Sequence, residues 1–129
     1  MRFISTKLHG AVDYLTGLLL IASPWLFNFD NGEAAQWIPV LIGVSALLYS
    51  LLTDYELGAI KMISVPGHLM LDLASGVFLA ASPWLFGFSD YVYLPHLVIG
   101  LFEIGAALTT QKTPYQQSTN SYQATTGTK

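Results

Sequence analysis

The stretch HGAVDYLTGLLLIASPWLFNF, which begins at His9, returns as HLMLDLASGVFLAASPWLFGF at His68. The copies are 59 residues apart and align without a gap. Such a repeat constrains the architecture first, because both copies must fold alike. Each is an apolar run with a histidine and an aspartate near its start and Ser-Pro-Trp near its end.

The apolar runs number four, over residues 8–29, 37–53, 67–88 and 91–110. Asp13, Asp72 and Glu103 are the only charges within them. At about 1.5 Å per residue, each approaches the roughly 30 Å hydrocarbon core of a bilayer. Charged residues make up 10 % of the chain, where a soluble domain carries about 25 %. A soluble four-helix bundle would show polar outer faces, and these runs have almost none. The expected fold is an all-α membrane protein with four transmembrane helices, arranged as two tandem two-helix repeats. Repeat 1 is residues 3–54 and repeat 2 is residues 62–110. Residues 1–110 form the transmembrane domain, and 111–129 form a disordered polar cytoplasmic tail. The first run, 8–28, reads as a retained helix, since His9 and Asp13 interrupt it and its duplicate lies deep in the chain.

Arg2, Lys7, Lys61, Lys112 and Lys129 all lie before the first run, between the second and third, or after the fourth. The other two loops carry no positive charge. The positive-inside rule then places both termini in the cytoplasm. Both repeats cross in the same sense, so the halves are expected to be related by a pseudo-twofold axis along the membrane normal. Trp25, Trp37 and Trp84 fall at the outer ends as interfacial anchors, with Phe27, Phe29, Phe86, Phe88, Tyr91 and Tyr93 beside them. No cysteine is present, which excludes disulfides and thiolate metal sites. The net charge of −3, with no basic cluster, gives no support to a nucleic-acid partner.

At 100° per residue, His9, Asp13, Thr16, Gly17, Leu20 and Pro24 fall within one arc of about 100°. His68, Asp72, Ser75, Gly76, Leu79 and Pro83 repeat it. This stripe is expected to face inward at the interface of the two halves, with Gly17 and Gly76 allowing close approach there. Pro39, Gly43, Ala46, Ser50 and Thr53 share one face of the second helix. His96, Gly100, Glu103 and Ala107 share one face of the fourth. Aligning Gly43 with Gly100 sets Glu103 against Ala46, so the symmetry breaks at a carboxylate.

Pro24 and Pro83 are expected to kink or end their helices near the outer surface. Ser23 and Ser82 each offer a hydroxyl to a carbonyl that the proline leaves free, making helix caps of Ser23, Pro24, Ser82 and Pro83. Asn28 and Gly87 hold the same repeat position, and both tolerate a left-handed turn. A ligand site on the two tryptophans is the weaker alternative.

With His9, Asp13, Gly17 and SPWLFNF in one copy and His68, Asp72, Gly76 and SPWLFGF in the other, the chain resembles the SPW-repeat family of small bacterial integral membrane proteins. Asn28 against Gly87, and Tyr14 against Leu73, are departures between the copies. The resemblance implies a membrane domain of two duplicated helix pairs in the bacterial inner membrane. It implies no established reaction and supplies no catalytic residues.

His9, Asp13, His68, Asp72 and Glu103 are the candidate intramembrane polar site. Each His-x-x-x-Asp pair can meet on one helix face. An ionised group at that depth needs a partner or water. The first reading is structural: each aspartate bonds its own histidine and a hydroxyl across the interface. Two imidazoles and two carboxylates would also suit Zn²⁺ or another divalent cation. Proton transfer through His, Asp and Glu103, and bis-histidine haem between His9 and His68, complete the alternatives.

The expected function is therefore a non-enzymatic membrane module, a scaffold or accessory subunit with no cofactor. Its partners are the lipid bilayer and further copies of itself or a larger membrane complex. The alternative class is a small cation- or proton-handling protein built on the His/Asp cluster.

Overall fold

The computed structural model describes residues 2–112. Nearly all of the expected tail, with Lys129, lies outside them. The described chain is all-helical: α1 (Thr6–Leu26), α2 (Ala34–Leu51), α3 (Val65–Leu85) and α4 (Leu94–Thr109).

Helices α1 and α3 start two residues earlier than the apolar pattern suggests. Ser5 Oγ accepts from the Leu8 N–H at 3.1 Å, and Ser64 Oγ accepts from the Gly67 N–H at 3.1 Å. Each hydroxyl satisfies one of the orphan donors at a helix start. These serines are themselves a repeat pair, and they begin each helix outside its apolar run.

Both helices continue two residues past Pro24 and Pro83. The proline at 24 removes the N–H that would bond the Leu20 carbonyl, and Ser23 Oγ donates to that oxygen at 2.8 Å. Ser82 Oγ does the same for Leu79 at 2.7 Å. The helices then close with the Phe29 N–H on the Pro24 carbonyl and the Phe88 N–H on the Pro83 carbonyl. Asn28 (φ 60°) and Gly87 (φ 73°) make the left-handed step this closure requires. Ser23→Ala should cost about 1–3 kcal/mol, because a buried carbonyl loses its donor. Thermal unfolding in detergent measures it, and an unchanged midpoint would show that the hydroxyl is dispensable.

That reversal turns Phe29 and Phe88 inward, which corrects their place in the aromatic belt. Both are buried, against Ala35. Trp25, Trp37 and Trp84 stay exposed at this end, with Phe27, Phe86, Tyr91 and Tyr93.

Helix α1 packs along α2 and α3 along α4, while α2–α3 and α1–α4 contacts close a ring. Helices α1 and α3 therefore sit diagonally. The glycines follow this arrangement, not the expected one. A Cβ on Gly43 would lie 2.6 Å from the Gly17 carbonyl oxygen, and a Cβ on Gly100 would lie 2.7 Å from that of Gly76. Close approach thus occurs inside each repeat, and the diagonal between repeats is bridged by side chains.

At one end, the segments carrying Arg2, Lys61 and Lys112 come together. The Ile4 N–H bonds the Thr109 carbonyl, and the Gln111 N–H bonds the Ile4 carbonyl. Arg2 Nη1 donates to the Ala107 and Thr110 carbonyls at 3.0 and 2.8 Å, closing the C-terminus of α4. Thr6 Oγ1 donates to Glu56 Oε1 at 2.7 Å, tying the start of α1 to the loop between α2 and α3.

By length and composition, α2 and α3 are each able to cross a membrane. Helix α4 is apolar but has 16 residues. Helix α1 has 21 residues, and it adds Lys7 and Tyr14 to the His-Asp pair that α3 also carries.

Candidate functional site

Polar side chains on an apolar helix sit where they meet other polar groups, and here they meet at the centre of the ring. His9, Asp13, His68 and Asp72 are 2 %, 9 %, 1 % and 3 % exposed. The two histidine Nε2 atoms and one oxygen from each aspartate all lie within 4.8 Å of one another.

The pairing crosses between the repeats. His9 Nε2 is 2.6 Å from Asp72 Oδ2 and 3.0 Å from its own Asp13 Oδ2. His68 Nε2 is 2.5 Å from Asp13 Oδ2 and 3.2 Å from its own Asp72 Oδ2. The expectation that each aspartate bonds mainly its own histidine is corrected by these distances. From diagonal helices, the four side chains reach the same central point, and the cross-repeat line is shorter than the one along the helix. The imidazole rings meet edge to face at 5.5 Å between centroids.

Outer hydrogen bonds fix the tautomers. Thr53 Oγ1 lies 2.6 Å from the Tyr49 carbonyl and 2.7 Å from His68 Nδ1. A hydroxyl has one proton and a carbonyl only accepts, so the proton goes to Tyr49 and the hydroxyl accepts from the His68 Nδ1–H. Thr110 Oγ1 repeats this, donating to the Ala106 carbonyl at 2.6 Å and accepting from the His9 Nδ1–H at 2.7 Å. Both Nε2 atoms therefore point at the carboxylates. They either carry protons of their own or present lone pairs to one centre.

The surroundings of the two aspartates differ. Tyr49 Oη donates to Asp72 Oδ1. The residue matching Tyr49 in the other half is Ala106, so Asp13 receives no tyrosine hydroxyl among the described residues. Gly105 and Ala106 stand where the first repeat has Leu48 and Tyr49. A cavity of about 470 Å³ opens there between α1 and α4, lined by Leu8, His9, Val12, Phe102, Gly105 and Ala106 among others.

Glu103 does not join the group of four. It is buried, and its Oε2 has no hydrogen-bond partner among the described residues. His96 is placed at the opposite end of the bundle. Its Nε2 donates to the Ala35 carbonyl at 2.8 Å, and Phe29 and Phe88 flank its ring, each at 5.0 Å. Tyr55, in the loop after α2, packs its ring 5.2 Å from that of His68, and burial pushes its phenol up.

Sequence reasoning missed Thr110, Tyr49 and Tyr55 as neighbours of the cluster. The register that pairs Gly43 with Gly100 also pairs Thr53 with Thr110, which is the signal that identifies Thr110. The Ser-Pro-Trp phrases lie at the other ends of α1 and α3, far from this centre along the chain.

The SPW repeat domain model matches residues 7–110, which spans both His-Asp pairs and both Ser-Pro-Trp phrases. The chain belongs to the SPW repeat domain family. No curated protein and no solved structure matches it. In this chain the first helix of each repeat thus ends on the Ser-Pro-Trp phrase, with the serine satisfying the carbonyl that the proline frees. Its near end contributes one histidine and one aspartate to a shared polar centre.

Proposed function

We propose that this SPW repeat protein is a non-enzymatic integral membrane module in the bacterial inner membrane. Its four helices cross the bilayer as two tandem two-helix repeats about a pseudo-twofold axis along the membrane normal, with both termini cytoplasmic. It acts as a scaffold or accessory subunit, alone as a homo-oligomer or within a larger membrane complex.

The observation that carries this reading is inverted polarity. Leu15, Leu18, Leu41, Leu48, Met70, Val77, Val98 and Leu101 are exposed on the helices, while His9, Asp13, His68, Asp72 and Glu103 are buried. Water would favour the reverse, and hydrocarbon favours this. The 16 residues of α4 reach about 24 Å, which a bilayer meets by local thinning at modest cost. The reciprocal bonds of His9 to Asp72 and His68 to Asp13 support the twofold relation. The end carrying Arg2, Lys7, Lys61 and Lys112 is the cytoplasmic one by charge, and Asp30, Glu33 and Asp90 lie at the other.

A tag inserted at Asn31 should react with membrane-impermeant reagents from outside the cell, and one at Gly58 only after permeabilisation. The opposite labelling pattern would reverse the orientation, and labelling of both sites from one side in a soluble fraction would sink the membrane reading. Co-purification at native expression tests the scaffold role, which a partnerless monomer would contradict.

The converging imidazoles and carboxylates favour a second reading beside this one, in which the module also handles a cation or protons. Glu103 is the additional carboxylate that this reading would recruit.

A further inference from the structure

We propose that His9, Asp13, His68 and Asp72 form a closed four-donor site for a single divalent cation of the Zn²⁺ type. The proposal rests on the second reading above and narrows it to an ion class and a ligand set.

Three observations carry it. First, the four donors are one atom each from four side chains, and they converge from two diagonal helices on one point. Zn²⁺ bonds of about 2.0–2.2 Å place tetrahedral donors roughly 3.3–3.5 Å apart. The four His–Asp contacts, between 2.5 and 3.2 Å, need to open by no more than about 1 Å, and the two remaining separations, within 4.8 Å, to close by no more than about 1.5 Å, to reach that spacing.

Second, the tautomers suit a metal. Thr53 and Thr110 hold the two Nδ1–H groups outward, so each Nε2, on giving up its proton to an incoming ion, presents its lone pair to the common centre. A ring N–H fixed by an outer acceptor is the usual support for a ligating histidine. Tyr49 plays the corresponding part for Asp72 by holding its second oxygen.

Third, the donor set selects the ion. Two nitrogens and two oxygens, with no cysteine in the chain and no methionine among the four donors, fit borderline divalent ions and not Cu(I). Ca²⁺ and Mg²⁺ require six or more oxygens. The two carboxylates balance a divalent charge, so the loaded centre is neutral, as a buried site in hydrocarbon demands. Four protein donors leave no open coordination position, which marks a holding site, not a hydrolytic one.

The test uses the full-length protein without a polyhistidine tag, in detergent, stripped with chelator and titrated with Zn²⁺. Equilibrium dialysis with metal analysis should return one ion per chain. Co²⁺ in its place should give the intense visible absorption of a four-coordinate ion, without a thiolate charge-transfer band. His9→Ala and Asp72→Ala should each abolish the Co²⁺ spectrum. Tyr49→Phe keeps all four donors and should weaken binding by about 10–100-fold, giving a readout if the ligand variants do not fold. If no divalent ion is retained above a buffer blank, both this site and the cation reading fail. If an ion binds but the Co²⁺ spectrum is weak and octahedral, or Tyr49→Phe and His9→Ala bind like the parent, the ligand assignment fails while cation handling stands.

Discussion

Asp72→Ala should destabilise the folded protein by about 3–5 kcal/mol, the cost of leaving the partners of a buried charge without it. The side chain is almost fully buried and receives three groups: His9 Nε2, His68 Nε2 and Tyr49 Oη. Its removal takes the carboxylate from Tyr49 and the shorter of the two contacts from His9, and leaves both imidazoles to share Asp13 alone. Asp13→Ala should cost less, because Asp13 receives the two imidazoles and no tyrosine. The two changes should not add, since both act on one network. Reversible unfolding of the purified protein in mixed micelles measures each value. An Asp72→Ala protein within about 0.5 kcal/mol of the parent would mean that the crossed pairs do not hold the bundle together.

Gly100→Val should be at least as damaging by a different route. A Cβ at Gly100 lies 2.6 Å from the Ala80 backbone nitrogen and 2.7 Å from the Gly76 carbonyl oxygen. Those are backbone atoms of the facing helix, so no rotamer change relieves the clash, and α3 and α4 must separate. Overpacking typically costs about 1–3 kcal/mol where side chains can yield, and here they cannot. The variant should lose the sharp melting transition of the parent. Gly105, on the same helix, supplies the control: an added Cβ there meets nothing within 4 Å. Gly105→Ala should be neutral or stabilising by up to about 1 kcal/mol, from helix propensity alone. Equal effects of the two would show that the loss at Gly100 is not steric.

The contrast between these glycines shows what the sequence discloses. The inward faces of α2 and α4 were legible, since Pro39, Gly43, Ala46 and Ser50, and His96, Gly100, Glu103 and Ala107, are all buried. Helical periodicity suffices for that when the alternative is to place polar groups in an apolar surrounding. The role of Ser23 and Ser82 was legible for a similar reason: a proline frees one identifiable carbonyl, and a neighbouring hydroxyl can reach it. Partner choice was not legible. Spacing of four residues makes His9 and Asp13 look self-sufficient, and only the diagonal placement of α1 and α3 brings Asp72 closer. Gly17 and Gly76 are both small residues on the polar stripe, and nothing in the pattern says that each opposes a glycine of its own repeat. Phe29 and Phe88 read as interfacial aromatics until the left-handed step at Asn28 and Gly87 turns them inward.

The crossed pairing also says something about how such a protein can be assembled and how it can change. A chain with one repeat carries one imidazole and one carboxylate, and it can reproduce these reciprocal bonds only by meeting a second copy. Here the second copy is joined through residues 52–64, so encounter is replaced by a tether and the effective concentration of the partner no longer depends on expression level. The same arrangement binds the histories of the two halves. A substitution at Asp13 is felt first by His68, in the other copy, so neither repeat is free to drift at these positions alone.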